Sequence, residues 1–309
     1  MSHLNLQPGQ TAVITGAASG FGLELARLGA QKGLNLVLTD VQQEALDKVV
    51  AELTAAGAQV AALRGDVSRG EDIQALADLC LERFGVPHIV INNAGVAYGG
   101  LIWEAGPRDW EWVLGVNLWG VIHGVRVFTP LMLAEARKNP AYQGHIVNVA
   151  SMAGMLNSPN LGVYNVSKHA VVSLSETLYQ DLALVTDQVH ASVLCPYFVP
   201  TGIHQSHRNR PAELRTDAKP TASQLIGQAM SAKAVTSGKV TATDTAALVF
   251  NAIEANQFYV YTHPKAIGMV QVRMEDVMQA RNPTDPFAGK PEIGEQLKTA
   301  LRDALAKED

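Results

Sequence analysis

Short apolar runs alternate along the chain with longer stretches whose apolar residues recur every three or four positions. The runs are TAVIT (11–15), LVLT (36–39), VAALR (60–64), HIVIN (88–92), HIVNVA (145–150), HASVLC (190–195) and FYVYT (258–262). They are β-rich and mostly apolar at successive positions, the pattern of strands in a parallel sheet buried on both faces. Between them, 21–33 places Phe21, Leu25, Leu28 and Ala30 on one helical stripe. The stretch 42–56 does the same with Leu46, Val49, Val50 and Leu53 and stops at Gly57; 71–84 uses Ile73, Leu76, Leu79 and Cys80 and stops at Gly85. A glycine just past the last periodic residue is a helix C-terminal signal. Two longer helical stretches, 107–138 and 163–187, are apolar on more than one face. The alternation predicts an α/β fold: a doubly wound, Rossmann-like parallel sheet of about seven strands, helices on both faces and right-handed crossovers.

Two regions break the rhythm. Residues 196–240 are polar, interrupted by Pro200, Pro211 and Pro220, and read as a long irregular lid. From about 282, the stretch NPTDPFAGKPEIG leads to a charged helix candidate at 295–307, a C-terminal extension. No linker or repeat divides the 309 residues, so a single domain over 1–309 is expected.

Composition narrows the function classes. A net charge of −5 and the absence of a basic stripe exclude a nucleic-acid surface. No run of eighteen apolar residues predicts a membrane span, and MSHLNLQPGQ lacks the basic start and apolar core of a secretion signal. The two cysteines, Cys80 and Cys195, cannot form a disulfide framework. A cytoplasmic location is expected. His204 and His207 lack a third ligand at metal-like spacing, so no metal is expected.

The first strand runs into TGAASGFG, three glycines in eight residues, with a helix starting inside the stretch. Gly16 suits a tight turn, Gly20 lets a backbone approach a pyrophosphate, and Gly22 lets a helix pack close to the sheet; the first-turn N–H groups then face phosphates. Asp40 ends the second strand twenty residues after Gly20, where a carboxylate accepts hydrogen bonds from an adenosine ribose. Ser19, Thr39 and Val41 carry no positive charge to meet a 2′-phosphate, so NAD is expected over NADP.

The spacing T-G-x-x-x-G-x-G, Asp66-Val67 after the third strand, Asn92-Asn93-Ala94-Gly95 after the fourth, Asn117 in VNLWG, Ser151 after HIVNVA and Tyr164-Asn165-Val166-Ser167-Lys168 follow one another in order. Together they resemble the short-chain dehydrogenase/reductase family, in its compact single-domain branch, over about residues 8–262. The resemblance implies a catalytic set of Asn117, Ser151, Tyr164 and Lys168. Ser151 would orient the substrate oxygen, Tyr164 would exchange the proton, Lys168 would also bind the nicotinamide ribose, and Asn117 would hold a water linking Lys168 to solvent. Cofactor contacts are implied for Gly16, Ser19, Gly20, Phe21, Gly22, Asp40, Asp66, Val67, Asn93, Ala94 and Gly95, for Tyr164 and Lys168, and for Pro196, Val199 and Thr201. Elementary chemistry agrees. Tyr164 and Lys168, four apart on a helix, share a face. An ammonium about 4 Å from a phenol contributes about 4 kcal/mol at an effective dielectric of 20, which favours the phenolate and draws its pKa from near 10 toward neutral pH.

One position departs from the family. Where it carries P-G-x-[IV]-x-T, the chain reads Pro196-Tyr197-Phe198-Val199-Pro200-Thr201. A tyrosine at φ > 0 would be strained; either the backbone differs locally or Tyr197 reaches into the site. Substrate contacts are expected from Tyr98, Met152, Met155, Tyr197 and Phe198, with Trp103, Leu156 and Val163 as further candidates, an apolar wall for a secondary alcohol or ketone. His204, His207, Arg208, Arg210 and Arg215 form either a carboxylate receptor or a solvated face. GIHQSHRNRP and YVYTH are similar to dehydrogenases that oxidise the benzylic alcohol of lignin-derived aryl ethers, which implies a bulky aryl or hydrophobic alcohol. Hydroxysteroid, 3-hydroxyacyl and sugar-derived polyol substrates are alternatives. So are a non-catalytic NAD(H)-binding sensor or scaffold, which would lack Tyr164 or Lys168, and an epimerase or dehydratase of the longer branch. The resemblance also implies a homodimer or homotetramer through 107–138 and 163–187.

Overall fold

The computed structural model describes residues 5–216 and 218–306. Seven parallel strands form one sheet in the order β3-β2-β1-β4-β5-β6-β7. They are β1 Thr11–Thr15, β2 Asn35–Asp40, β3 Val60–Arg64, β4 Ile89–Asn92, β5 Gly144–Val149, β6 Val189–Cys195 and β7 Tyr259–Tyr261, within about a residue of the expected runs. Alternate side chains feed two cores. From β1, Ala12 and Ile14 point to one face, where α1 (Gly20–Gln31), α2 (Gln43–Ala55) and α8 (Ala242–Glu254) pack. Val13 points to the other, where α3 (Gly70–Phe84), α5 (Gly120–Lys138) and α6 (Gly162–Val185) pack. Full cover on both faces is why the strands read as near-continuous apolar runs.

Strand order reverses between β1 and β4, so the loops at their C-terminal ends diverge and open a crevice. The glycine turn, the segment after β4 and the start of α6 all meet there.

The stretch 107–138 is not one regular helix. It comprises α4 (Pro107–Leu114), a π-helical turn (Gly115–Trp119) and α5. By length and composition Pro107–Lys138 is apolar enough to cross a membrane, which differs from the expectation of no such run. In the fold it lays Phe128, Met132 and Ala136 into the core against the sheet.

The lid is more ordered than expected. It holds 3-10 turns at Gly202–Asn209 and Ala212–Leu214 and then a full helix, α7 (Ala222–Thr236). Thr221 starts α7 with a capping box: its hydroxyl accepts the Gln224 N–H, and the Gln224 side chain accepts the Thr221 N–H. The apolar residues of α7 are spread around the helix rather than gathered on one stripe, so periodicity gave no sign of it. Helix α9 (Ile267–Met278) follows β7, and α10 (Pro291–Leu305) begins four residues before the expected 295; the expected end at 307 lies outside the described residues.

Candidate active site

The turn after β1 takes its shape from its glycines. Gly16 and Gly20 sit in the left-handed region, at φ +63° and +55°, which side-chain-bearing residues rarely adopt. Gly22 is required for closeness: a Cβ there would overlap the Gly16 carbonyl and crowd the Asn93 amide. Asn93 buttresses the turn. Its Nδ2 donates to the Thr15 and Gly16 carbonyls at 2.8 and 3.1 Å, and the Asn93 and Ala94 N–H groups donate to Thr15 Oγ1. The Asp40 carboxylate accepts the Ala18 N–H on one oxygen and the Gln42 N–H on the other, both at 3.0 Å. It thereby ties the glycine turn to the end of β2, and it lines the cavity.

That cavity, of about 740 Å³, runs along the crevice. Gly16, Ser19, Gly20, Phe21 and Asp40 line one arm, with Asp66, Val67, Asn93, Ala94 and Gly95 beside them. Ser151, Tyr164, Lys168, Pro196, Val199 and Thr201 line the other. Gly22 and Asn117 lie behind the wall.

Asn117, on the π-helical turn, is fully buried. Its Oδ1 accepts the Val96 N–H at 2.8 Å, while Nδ2 donates to the Val96 carbonyl and Ser167 Oγ, both at 3.0 Å. Through these bonds the amide holds the segment after β4 against α6.

Ser151, just past β5, caps a 3-10 turn by accepting the Ala153 N–H at 3.1 Å. Tyr164 stands half-buried on the first turn of α6. Burial pushes its phenol up from the ordinary value, while the hydrogen bond with Ser151 pulls down. The net shift is upward, against the lowering expected from Lys168, whose ammonium lies 5.8 Å from the Tyr164 ring centroid. Lys168 is 2% exposed, donates to the Val149 carbonyl at 2.9 Å, and is brought down to about 8 by burial. Burial therefore moves the two groups apart, the phenol up and the ammonium down.

Tyr197 is unstrained, because its φ is not positive. Its N–H donates to Thr262 Oγ1 at 3.0 Å, and its ring packs on Phe198 with centroids 4.4 Å apart and edge-on to His263. Both alternatives hold: the local backbone suits a side chain, and Tyr197 lines the cavity with Phe198, Met152 and Leu156.

Four substrate candidates lie elsewhere. Tyr98 Oη accepts from Gln224 Nε2 at 2.7 Å, away from the cavity wall. Met155 turns into the packing between α6 and β6, Val163 is buried behind the wall, and Trp103 is 74% exposed. Leu161, Leu214 and Val235, which sequence periodicity did not single out, line the cavity in their place. The basic cluster of the lid also divides. Arg210 pairs with Asp109, whereas Arg208 is on the cavity wall, its guanidinium against Gly202. Among the described residues no group of His, Cys, Asp and Glu could hold a metal ion.

Sheet order, glycine turn and the Ser151–Tyr164–Lys168 cluster define a Rossmann-like α/β oxidoreductase. A sequence profile of the short chain dehydrogenases matches residues 10–212, and the chain belongs to the short-chain dehydrogenase/reductase family. A family member from Burkholderia phymatum, solved in complex with NAD, is 52% identical and superposes with a TM-score of 0.89 over 92% of this chain and 99% of its own. A CLA biosynthesis dehydrogenase/reductase from Lactiplantibacillus plantarum is 33% identical over 270 residues, 86% of this chain and 92% of its own. A C alpha-dehydrogenase from Sphingobium sp. is 30% identical over 293 residues, 94% of this chain and 92% of its own.

Proposed function

We propose that the protein is an NAD-dependent dehydrogenase/reductase acting on a bulky, hydrophobic or aromatic secondary alcohol or ketone. The observation that carries this reading is one cavity holding both a glycine cradle with an acidic ribose partner and a Ser151–Tyr164–Lys168 cluster beside an apolar wall. A nicotinamide dinucleotide fits the cradle, since Gly16 and Gly20 take backbone shapes that side chains disfavour and a Cβ at Gly22 would close the turn. Gly16, Ser19, Gly20 and Phe21 would hold its phosphates, Asp40 its ribose, and Asp66 and Val67 its adenine. Bound there, the nicotinamide supplies the hydride acceptor or donor.

The chain's own residues handle the oxygen and the proton. Ser151 Oγ orients the substrate oxygen, and Tyr164 Oη takes its proton in oxidation or returns it in reduction. A charged Lys168 stabilises the phenolate form and anchors the nicotinamide ribose. Asn117 keeps Val96 and Ser167 in register with Lys168. Met152, Leu156, Leu161, Phe198 and Val235 favour a large apolar substituent, in keeping with the aryl-alcohol class. The complete catalytic cluster favours an enzyme over a sensor.

Asp40 is flanked by Val41 and Gln42, and the wall arginine, Arg208, sits against Gly202 rather than beside Asp40. Arg64, paired with Asp40 across β2 and β3, donates its Nε to the Val41 carbonyl at 3.1 Å and does not line the cavity, so a 2′-phosphate would meet the Asp40 carboxylate, which favours NAD. Trp119 before α5 and Val166 on α6 are 51% and 45% exposed; such apolar surface on these two elements favours a homodimer or homotetramer, to be read from light scattering. The function is tested by following NAD and NADP reduction across aryl, steroid and aliphatic secondary alcohols. Turnover with NAD and aryl alcohols supports the reading; reduction of NADP in preference to NAD would overturn the cofactor assignment.

A further inference from the structure

The mouth of the cofactor arm is bridged. After β6 the chain crosses it as the 3-10 segment Gly202–Asn209 and continues through Arg210 and Pro211. Three ties fix this strap. Ser206, 5% exposed, accepts the Ala97 N–H at 2.8 Å. Asn209 Oδ1 accepts from Gln42 Nε2 at 2.5 Å. Arg210 Nη1 donates to Asp109 Oδ1 at 2.6 Å, with its guanidinium over the Trp112 ring, 5.3 Å from the centroid.

The last two ties come from consecutive residues and reach different walls. Gln42 follows β2 and Asp40, on one side of β1. Asp109 and Trp112 belong to α4, which follows β4 on the other side. Sheet order puts the crevice between them. Asn209 and Arg210 therefore span it, and Gln42, Asn209 and Trp112 all line the same cavity.

The two halves of the third tie, Arg210 and Asp109, differ in freedom. Asp109 is held independently, since its Oδ2 accepts the Gly106 N–H at 2.8 Å and caps α4. Arg210 belongs to the strap itself, its Nε donating to the Leu214 carbonyl at 2.8 Å, so it is the half that would move with the strap. Its side chain and that of Asp109 are 13% and 11% exposed, so closing strips water from both charges and opening returns it. Arg210 Nη2 is buried without a hydrogen-bond partner among the described residues, a further cost of the closed position that opening relieves. An apolar latch would lack this balance.

We propose that Asn209 and Arg210 form a clasp across the dinucleotide groove: positioning residues that enclose the cofactor and set its exchange rate. This rests on the cofactor reading above. With both ties made, the cofactor is roofed; it enters and leaves when Arg210 parts from Asp109.

The test is NADH binding by stopped-flow fluorescence, with release followed by chasing with excess NAD. Wild type, Asn209→Ala, Arg210→Gln and Arg210→Lys are compared. A gate governs both directions, so Arg210→Gln raises association and dissociation rates together, each by about tenfold, while Kd moves by less than about threefold. Asn209→Ala does the same to a smaller degree, and Arg210→Lys restores most of the wild-type rates. Asn209 is on a half-buried turn, so its variant keeps the test open should Arg210→Gln fail to fold. Unchanged rates in the folded variants would overturn the clasp. So would a rise in dissociation alone with an equal loss of affinity, which would make these residues plain contacts. No NADH signal from the wild type would overturn the cofactor reading and the clasp with it.

Discussion

At the residue scale, the proposed proton transfer falls to two groups that burial pushes in opposite directions. The Tyr164 phenol goes up and the Lys168 ammonium comes down to about 8. Alcohol oxidation needs Tyr164 without its proton, so its kcat/KM rises with pH, and ketone reduction falls. Lys168 carries charge below about 8 and loses it above, so its help to the phenolate is strongest on the acid side of that value. Lys168→Met removes the help throughout. The rising limb of the oxidation profile and the falling limb of the reduction profile both move to higher pH; limbs that stay in place would show that the lysine does not act on the proton. These residues were legible in the sequence because turn and helix spacing are local properties. Tyr98 and Met155 were misplaced because the face a loop residue presents is set by packing with distant elements, here Gln224 and the α6–β6 layer. The Gln42–Asn209 tie joins residues 167 apart and left no local trace.

At the element scale, the strands and the helices flanking them followed from apolar period and glycine stops. Helix α7 did not, because only Ser223, Gly227 and Val235 of it are buried. Its start depends on Thr221, whose hydroxyl also donates to Glu104. Thr221→Ala removes the cap and this tie. It is expected to cost about 1 kcal/mol and to lower Tm by about 2–4 °C, read by calorimetry. Since α7 also brings Ser231 and Val235 to the cavity, KM for an apolar alcohol rises more than kcat falls. A fall in kcat with KM unchanged would place α7 outside substrate binding.

At the scale of the whole molecule, the sheet carries a pH liability at the end remote from the site. His145 is fully buried on β5, shares a hydrogen bond with Ser192 Oγ at 2.7 Å, and is pushed down to about 3 by burial and by neighbouring His190. His88, His169 and His190 are lowered by burial too. In the unfolded chain a histidine binds its proton below about 6.5, whereas these stay neutral in the fold. For His145, stability is therefore fully present above about pH 6.5 and is lost as pH falls from there toward about 3, by up to about 1.4 kcal/mol per pH unit, and the other three act in the same direction. His145→Gln flattens that slope in urea titrations at pH 5 to 7; an unchanged slope would remove His145 from the account.

The central claim is that one cavity binds the dinucleotide and that Tyr164 moves the proton within it. The most direct measurement sets wild type beside Tyr164→Phe, following NAD reduction with an aryl secondary alcohol and NADH binding on the same samples. The account predicts turnover in the wild type, a loss of about 10²- to 10⁴-fold in the variant, and NADH affinity that is the same in both. A variant that keeps its turnover, or a wild type that binds NADH and turns over no alcohol, would contradict it.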